Sequence, residues 1–201
     1  MRVSSMTVLS EPTTAGGYAV ARRAMIDSQL RVSGITDARV LAAMGSTPRE
    51  DFVPNAMRGN AYVDRPLPLP GGKVLNPPLS HGRLLSEARP TSADRALLVG
   101  GGYLAALLAP MVGSLDAVDS LEGPGRGPFS LIVIDGAIER FPESLAKRLA
   151  DDGRVVCGLM ERGVARLAIG RKAAGAVAFA TLGEIDLAPL TDFAAPRAWS
   201  F

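Results

Sequence analysis

The chain reads as one α/β domain: a mainly parallel sheet with helices on both faces and an antiparallel edge, preceded by a helical N-terminal third. Three observations predict this. The run Ala96-Leu97-Leu98-Val99, the glycines Gly100-Gly101-Gly102 and the helix-forming Tyr103-Leu104-Ala105-Ala106 read as strand, tight turn, helix. That is the opening unit of a nucleotide-binding α/β sheet. After Pro90, short apolar runs alternate with helical patterns. Finally, 201 residues that are 47% hydrophobic and 21% charged suit one globular domain with a sizeable core.

The elements follow in order. Residues 1–17 are small and polar, interrupted by Pro12 and ended by Gly16-Gly17, and read as a loose arm. Residues 18–30 form a helix, with Ala21, Met25 and Leu30 able to share one side. Thr36 is placed to cap a helix over 37–44, with Asp37 in its first turn. Thr47-Pro48 starts a short helical turn. From 54 to 78 prolines and glycines forbid a long regular element. A segment of that length in a compact domain is functional or straps the core. Residues 79–88 form a helix with Leu84 and Leu85 inward. Beyond Pro90 come a strand at 95–99, a helix at 103–112, a short strand at 114–118 ending at Asp119, and a buried strand at 128–134 ending at Asp135. A helix at 142–150, a strand at 154–159 and a hairpin pairing 164–170 with 176–181 complete the sheet. Pro189 and Pro196 keep the tail extended, with Trp199 as an anchor.

Composition excludes several functions. The 22 basic and 20 acidic residues are interspersed, so no basic face for nucleic acid stands out despite an isoelectric point near 9.0. One cysteine and one histidine allow neither a disulfide nor a Cys/His metal site. Cys157, between apolar neighbours, reads as a core thiol, and His81 alone suggests neither metal nor catalysis. No membrane span and no secretory signal are visible, which points to the cytoplasm.

Several motifs in the N-terminal half stand in one family's order. They are Met25-Ile26-Asp27-Ser28-Gln29-Leu30, Gly34-Ile35-Thr36-Asp37, Pro48-Arg49-Glu50-Asp51-Phe52-Val53-Pro54 and Ala61-Tyr62-Val63-Asp64. Together with Pro142-Glu143-Ser144-Leu145 and Gly153-Arg154-Val155-Val156, they resemble the protein-L-isoaspartate O-methyltransferases over most of residues 18–160. The resemblance implies a Rossmann-like methyltransferase sheet over 91–201, with 18–90 on the substrate side. It implies S-adenosylmethionine as cofactor, and as partner a protein or peptide carrying isoaspartate. Gly100, Gly101, Gly102, Asp119 and Asp135 then stand where the cofactor is bound. Asn76 stands at the catalytic position, and Val74 and Pro77 beside the substrate.

Departures from the pattern bear on activity. Asn76 replaces the hydroxyl that meets the isoaspartyl group, although an amide can still donate to a carboxylate. The glycines are contiguous and Leu98 stands where an acid is usual. Only residues 120–127 separate Asp119 from the next strand, too few for the helix and strand that active members carry there. An acid at Asp135 is also unusual. Methyl transfer from an activated sulfonium depends on alignment, so these losses predict weak or lost transfer with a binding role. A working enzyme with a reduced site, or a site for another small ligand at the same sheet edge, are the alternatives. Asp135 before Gly136, and Asn76 before Pro77, read equally as turn chemistry. The loop 66–78 is expected to pack over the glycine turn and occupy part of the cofactor space.

Overall fold

The computed structural model describes residues 15–119 and 127–190. Residues 1–14 of the expected arm, the Trp199 anchor and most of the short 120–127 connection lie outside the described residues, while residues 15–17, expected in the arm, already belong to the first helix.

Helix α1 (Ala15–Met25) continues into a wider π turn at Ile26–Leu30, which buries Met25, Ile26 and Leu30. Helix α2 (Ala38–Ser46) is capped by Asp37, not Thr36. The Asp37 carboxylate accepts from the backbone N–H of Arg39 at 2.8 Å and of Val40 at 3.4 Å. Two 3₁₀ turns, Arg49–Phe52 and Asn55–Asn60, lead to a small hairpin of β1 (Leu67–Pro68) and β2 (Val74–Leu75). Gly71 and Gly72, at φ 73° and 74°, make its bend, a conformation that favours glycine. Helix α3 (Pro78–Ala88) starts on a proline and ends at a left-handed Arg89.

The sheet then forms from β3 (Arg95–Val99), α4 (Gly102–Leu108), β4 (Ser114–Val118), β5 (Phe129–Ile138), α5 (Glu143–Arg148), β6 (Leu149–Glu161), β7 (Val164–Ala173) and β8 (Ala176–Glu184). Strand order is β4-β3-β5-β6-β7-β8. The first four are mutually parallel, and β6, β7 and β8 form an antiparallel meander at the edge. Among the described residues no strand lies beyond β4.

The central strands bury both faces. Leu98, Leu131, Val133 and Val156 join the core with the N-terminal helices. Leu97, Ile132, Ile134, Val155 and Cys157 form a second core on the other side. At the amino ends of the strands, Arg154 forks onto Asp94 at 2.9 and 2.7 Å, and Ser130 donates to the same carboxylate at 2.7 Å. This ties β5 and β6 to the turn before β3.

Two strand boundaries depart most from the sequence reading. β5 was expected to stop at 134 with Asp135 in a turn, but it runs to Ile138 with Asp135 inside it. β6 begins at Leu149, which pairs with Phe129, so the preceding helix is shorter than expected.

Candidate functional site

The carboxyl ends of β3, β4 and β5 meet the N-terminal region at one cleft of ≈ 280 Å³. This is where open α/β sheets place their ligands. The glycine turn Gly100, Gly101, Gly102 forms one side, with Asp119 at the mouth and Asp135 and Asn76 at the floor. The hairpin β1–β2 roofs it through Leu69, Lys73 and Val74. The loop and the turn therefore line the same cleft, and the space between them is open rather than occupied by the loop. Leu67 and Leu75 face the core, at 4% and 2% exposure. Pro77 is not part of this cleft. It lines a separate surface hollow with Asp64 and Ser80.

The floor is a buried polar network. β5 slips register against β6 between Val133 and Ala137, and such an irregularity re-aims a side chain. Asp135 Oδ1 accepts from Asn76 Nδ2 at 2.7 Å and from His81 Nε2 at 3.0 Å. Asn76 Nδ2 also donates to the Asp135 carbonyl at 3.0 Å, and Asn76 Oδ1 accepts from the Ala188 N–H at 2.9 Å. Both the donor and the acceptor end of Asn76 are thus engaged within the protein. That last bond docks a segment whose sequence predicts only an extended tail. Ala137 N–H donates to Ala188 O, Leu190 N–H donates to Ala137 O, and Ala188, Pro189 and Leu190 form a cleft wall.

Behind His81 lies Arg49, fully buried. Its Nε donates to Ala61 O at 2.7 Å, one Nη donates to Asn76 O, and the other lies 3.2 Å from His81 Nδ1. A guanidinium only donates, so His81 Nδ1 accepts. Nε2 then carries the proton and gives it in hydrogen bonding to Asp135, which makes the ring neutral. The network reads from inside out as cation, neutral imidazole, carboxylate. Burial opposes ionisation of Asp135, but the hydrogen bonds from His81 and Asn76 and the Arg49 charge outweigh it and hold the carboxyl below its ordinary range. The Arg49 guanidinium also stacks 4.8 Å from the Tyr103 ring centroid.

A second polar cluster supports this one. Arg22 reaches Glu50 at 2.9 Å and the Tyr62 hydroxyl at 2.7 Å, and that hydroxyl donates to Glu50. Burial and the Glu50 partner push the Tyr62 phenol up to about 12. The tyrosine also accepts from the Arg49 backbone N–H at 3.3 Å, which joins the two clusters.

Asp135 Oδ2 is different from Oδ1. Among the described residues it has no hydrogen bond, and it faces the glycine turn: a Cβ built on Gly101 would meet it at 3.1 Å. At Gly100 a Cβ would meet Asp135 Cβ at 2.6 Å, and φ there is 129°. Gly100 is thus required by the approach of Asp135, and a side chain at Gly101 would crowd Oδ2, whereas Gly102 faces only Phe52 at 3.8 and 3.9 Å. Asp119 is exposed and paired with Lys73 at 2.9 Å across the cleft mouth.

The structure therefore gathers Gly100, Gly101, Gly102, Asp119, Asp135, Asn76 and Val74 in one place. His81 and Arg49 were missed as site residues. The signal for His81 was its spacing: it precedes Leu84, Leu85 and Ala88 on the buried face of α3.

Comparison with known proteins decides the family. Residues 21–124 match the protein-L-isoaspartate(D-aspartate) O-methyltransferase family. The chain belongs to that family. A Koribacter versatilis protein-L-isoaspartate O-methyltransferase is 33% identical over 87% of this chain and 92% of its own length. The Methylorubrum extorquens protein of that name is 34% identical over 69% of this chain and 73% of its own. Among solved structures, a Plasmodium falciparum beta-aspartate methyltransferase in complex with S-adenosyl-L-homocysteine superposes with a TM-score of 0.70 at 16% identity, covering 87% of this chain and 98% of that one. Together with the sheet order, this places the chain in the Rossmann-like methyltransferase fold. No helix among the described residues is long and apolar enough to cross a membrane.

Proposed function

We propose that this family member has weak or no carboxyl methyl transfer to isoaspartyl residues and keeps the cleft as a binding site. The observation that carries this reading is the engagement of Asn76. An isoaspartyl carboxylate needs a donor at that position, and the Asn76 amide gives its hydrogens to Asp135. Freeing it would leave the Asp135 acceptors and the Ala188 N–H short of a partner, at about 1–3 kcal/mol for each buried group.

Charge adds to the argument. Asp135 is ionised at neutral pH and lines the same cleft. A carboxylate brought to about 5 Å of it meets a repulsion of about 3 kcal/mol at an effective dielectric near 20. The sequence departures placed most weight on the cofactor side; the side-chain network shifts that weight to the methyl acceptor.

S-adenosylmethionine itself suits the residues present. Oδ2 of Asp135 is an unpaired acceptor for an ammonium, and Asp119 can accept from ribose hydroxyls once it leaves Lys73. That exposed ion pair holds it by no more than about 1 kcal/mol. When bound, the cofactor supplies an activated methyl group. What this chain contributes is a floor that repels the family's acceptor, a roof from β1–β2 that limits water, and the Arg49–His81 pair that keeps the Asp135 proton off.

Radiolabelled methyl transfer from S-adenosylmethionine to an isoaspartyl peptide tests the reading. The expected rate is at most about one-hundredth of that of the Methylorubrum extorquens relative, equivalent to about 2.7 kcal/mol of lost transition-state stabilisation. A comparable rate restores the repair enzyme as the correct reading.

A further inference from the structure

Resting on the reading that the cleft is retained while the isoaspartyl acceptor is lost, we propose that Asp135 is the counter-ion for a protonated aliphatic amine, so that the cleft selects a cationic ligand. Three observations converge. First, Asp135 is 5% exposed, and Oδ1 is fixed by His81 and Asn76 while Oδ2 carries no hydrogen bond among the described residues. A carboxylate oxygen that opens on a cleft and accepts from no protein donor is an unfilled position for a ligand donor. Second, the network behind it is polarised. The positive end, Arg49, is deep in the core, and the neutral imidazole stands between it and the carboxylate. The negative end is therefore the one presented to the cleft. Third, the other charged groups lining the cleft are Lys73 and Asp119, which are paired with each other at 2.9 Å. They leave Asp135 uncompensated on its open side.

An alkylammonium matches this arrangement. It donates to Oδ2, and its methylene chain lies against Leu69, Val74 and Leu190 on the cleft walls. Carboxylates and phosphates are rejected by the same charge. Lys73 acts in the opposite sense. It sits on the hairpin roof and lowers the affinity of the cleft for any cation.

Calorimetric titration of the full chain tests this with four probes: putrescine, S-adenosyl-L-homocysteine, 5′-methylthioadenosine and succinate. Either or both of the amine-bearing probes are expected to bind. Putrescine assigns the site to a free amine, and S-adenosyl-L-homocysteine alone assigns it to an amine carried by a nucleoside. Asp135→Asn keeps the shape and the acceptor for His81, and is expected to weaken amine binding by about tenfold or more, the scale of one charged hydrogen bond. The neutral thioadenosine is not expected to respond to that change, and succinate is not expected to bind. Lys73→Ala, on the exposed roof, should leave folding intact and tighten amine binding several-fold. The proposal is overturned if neither amine binds, if Asp135→Asn binds them as the wild type does, or if Lys73→Ala fails to tighten binding. Methylation of an isoaspartyl peptide would overturn the reading under it instead, and leaves the Asp135→Asn comparison to be judged on its own.

Discussion

Arg49→Met removes the group on which the buried network depends. The guanidinium has three hydrogen-bond acceptors: Ala61 O, Asn76 O and His81 Nδ1. Methionine fills much of the same volume and donates to none of them. Each acceptor left buried and unpaired costs about 1–3 kcal/mol. Three of them set a gross loss of about 3–9 kcal/mol. Removing a buried charge returns part of its desolvation, so the net lies toward the lower end. A loss of about 3 kcal/mol lowers the melting temperature by about 6–12 °C in a domain of this size. Urea unfolding followed by circular dichroism gives the free energy directly. Arg49→Lys keeps the charge but cannot fork, and should recover less than half of the loss. If Arg49→Met costs under about 1 kcal/mol, the guanidinium is not what holds His81 and the Asn76 carbonyl, and the assigned tautomer loses its basis.

Two further outcomes can be measured on the same instrument. Leu75, at 2% exposure, anchors the hairpin roof in the core, so Leu75→Ala should cost about 2 kcal/mol or more; a neutral effect would mean the roof is not held from beneath. Asp94 and Asp135 both have folded pKa values depressed below the unfolded one: burial opposes this, and the Arg154 fork with Ser130 and Thr91 at Asp94, and His81 with Asn76 at Asp135, outweigh it. Stability from both is fully present above the unfolded value near 4 and is lost as pH falls through the folded values. Melting temperatures should hold between pH 7 and about 5 and fall steeply below about 4, with a shallower fall in Asp94→Asn; parallel profiles would refute the assignment.

The sheet was legible where local pattern and tertiary context agree. The strands at 95–99 and 114–118 are bounded by polar residues and glycines, and the structure places β3 and β4 at those residues. β5 was cut short because Asp135-Gly136 looks like a turn. The strand continues because the carboxylate is hydrogen-bonded by His81 on α3 and by Asn76 just after β2, 54 and 59 residues away in sequence, which no local pattern encodes. β6 starts early for a related reason: Leu149 pairs with Phe129, and sheet pairing overrides the helical propensity around 149–150. The cleft itself was readable from the glycine turn and Asp119. Its floor was not, since the partners of Asn76 lie 59 and 112 residues away in sequence.

Asn76, His81, Asp135 and Gly100 make sense only as a set. An acid at 135 without His81 and Asn76 is a buried unpaired charge, a state that costs several kcal/mol. His81 without Arg49 behind it loses the donor that fixes its proton on the side facing Asp135. A side chain at 100 collides with Asp135 Cβ at 2.6 Å. Each residue therefore permits or requires the others, and a change at one alone is destabilising. A floor drifting out of use would be expected to lose such groups singly and to fill with apolar side chains, which often stabilise a core. Here a charge is kept, partnered on one oxygen and left open on the other. That pattern fits a cleft that takes a cationic ligand better than one that has closed.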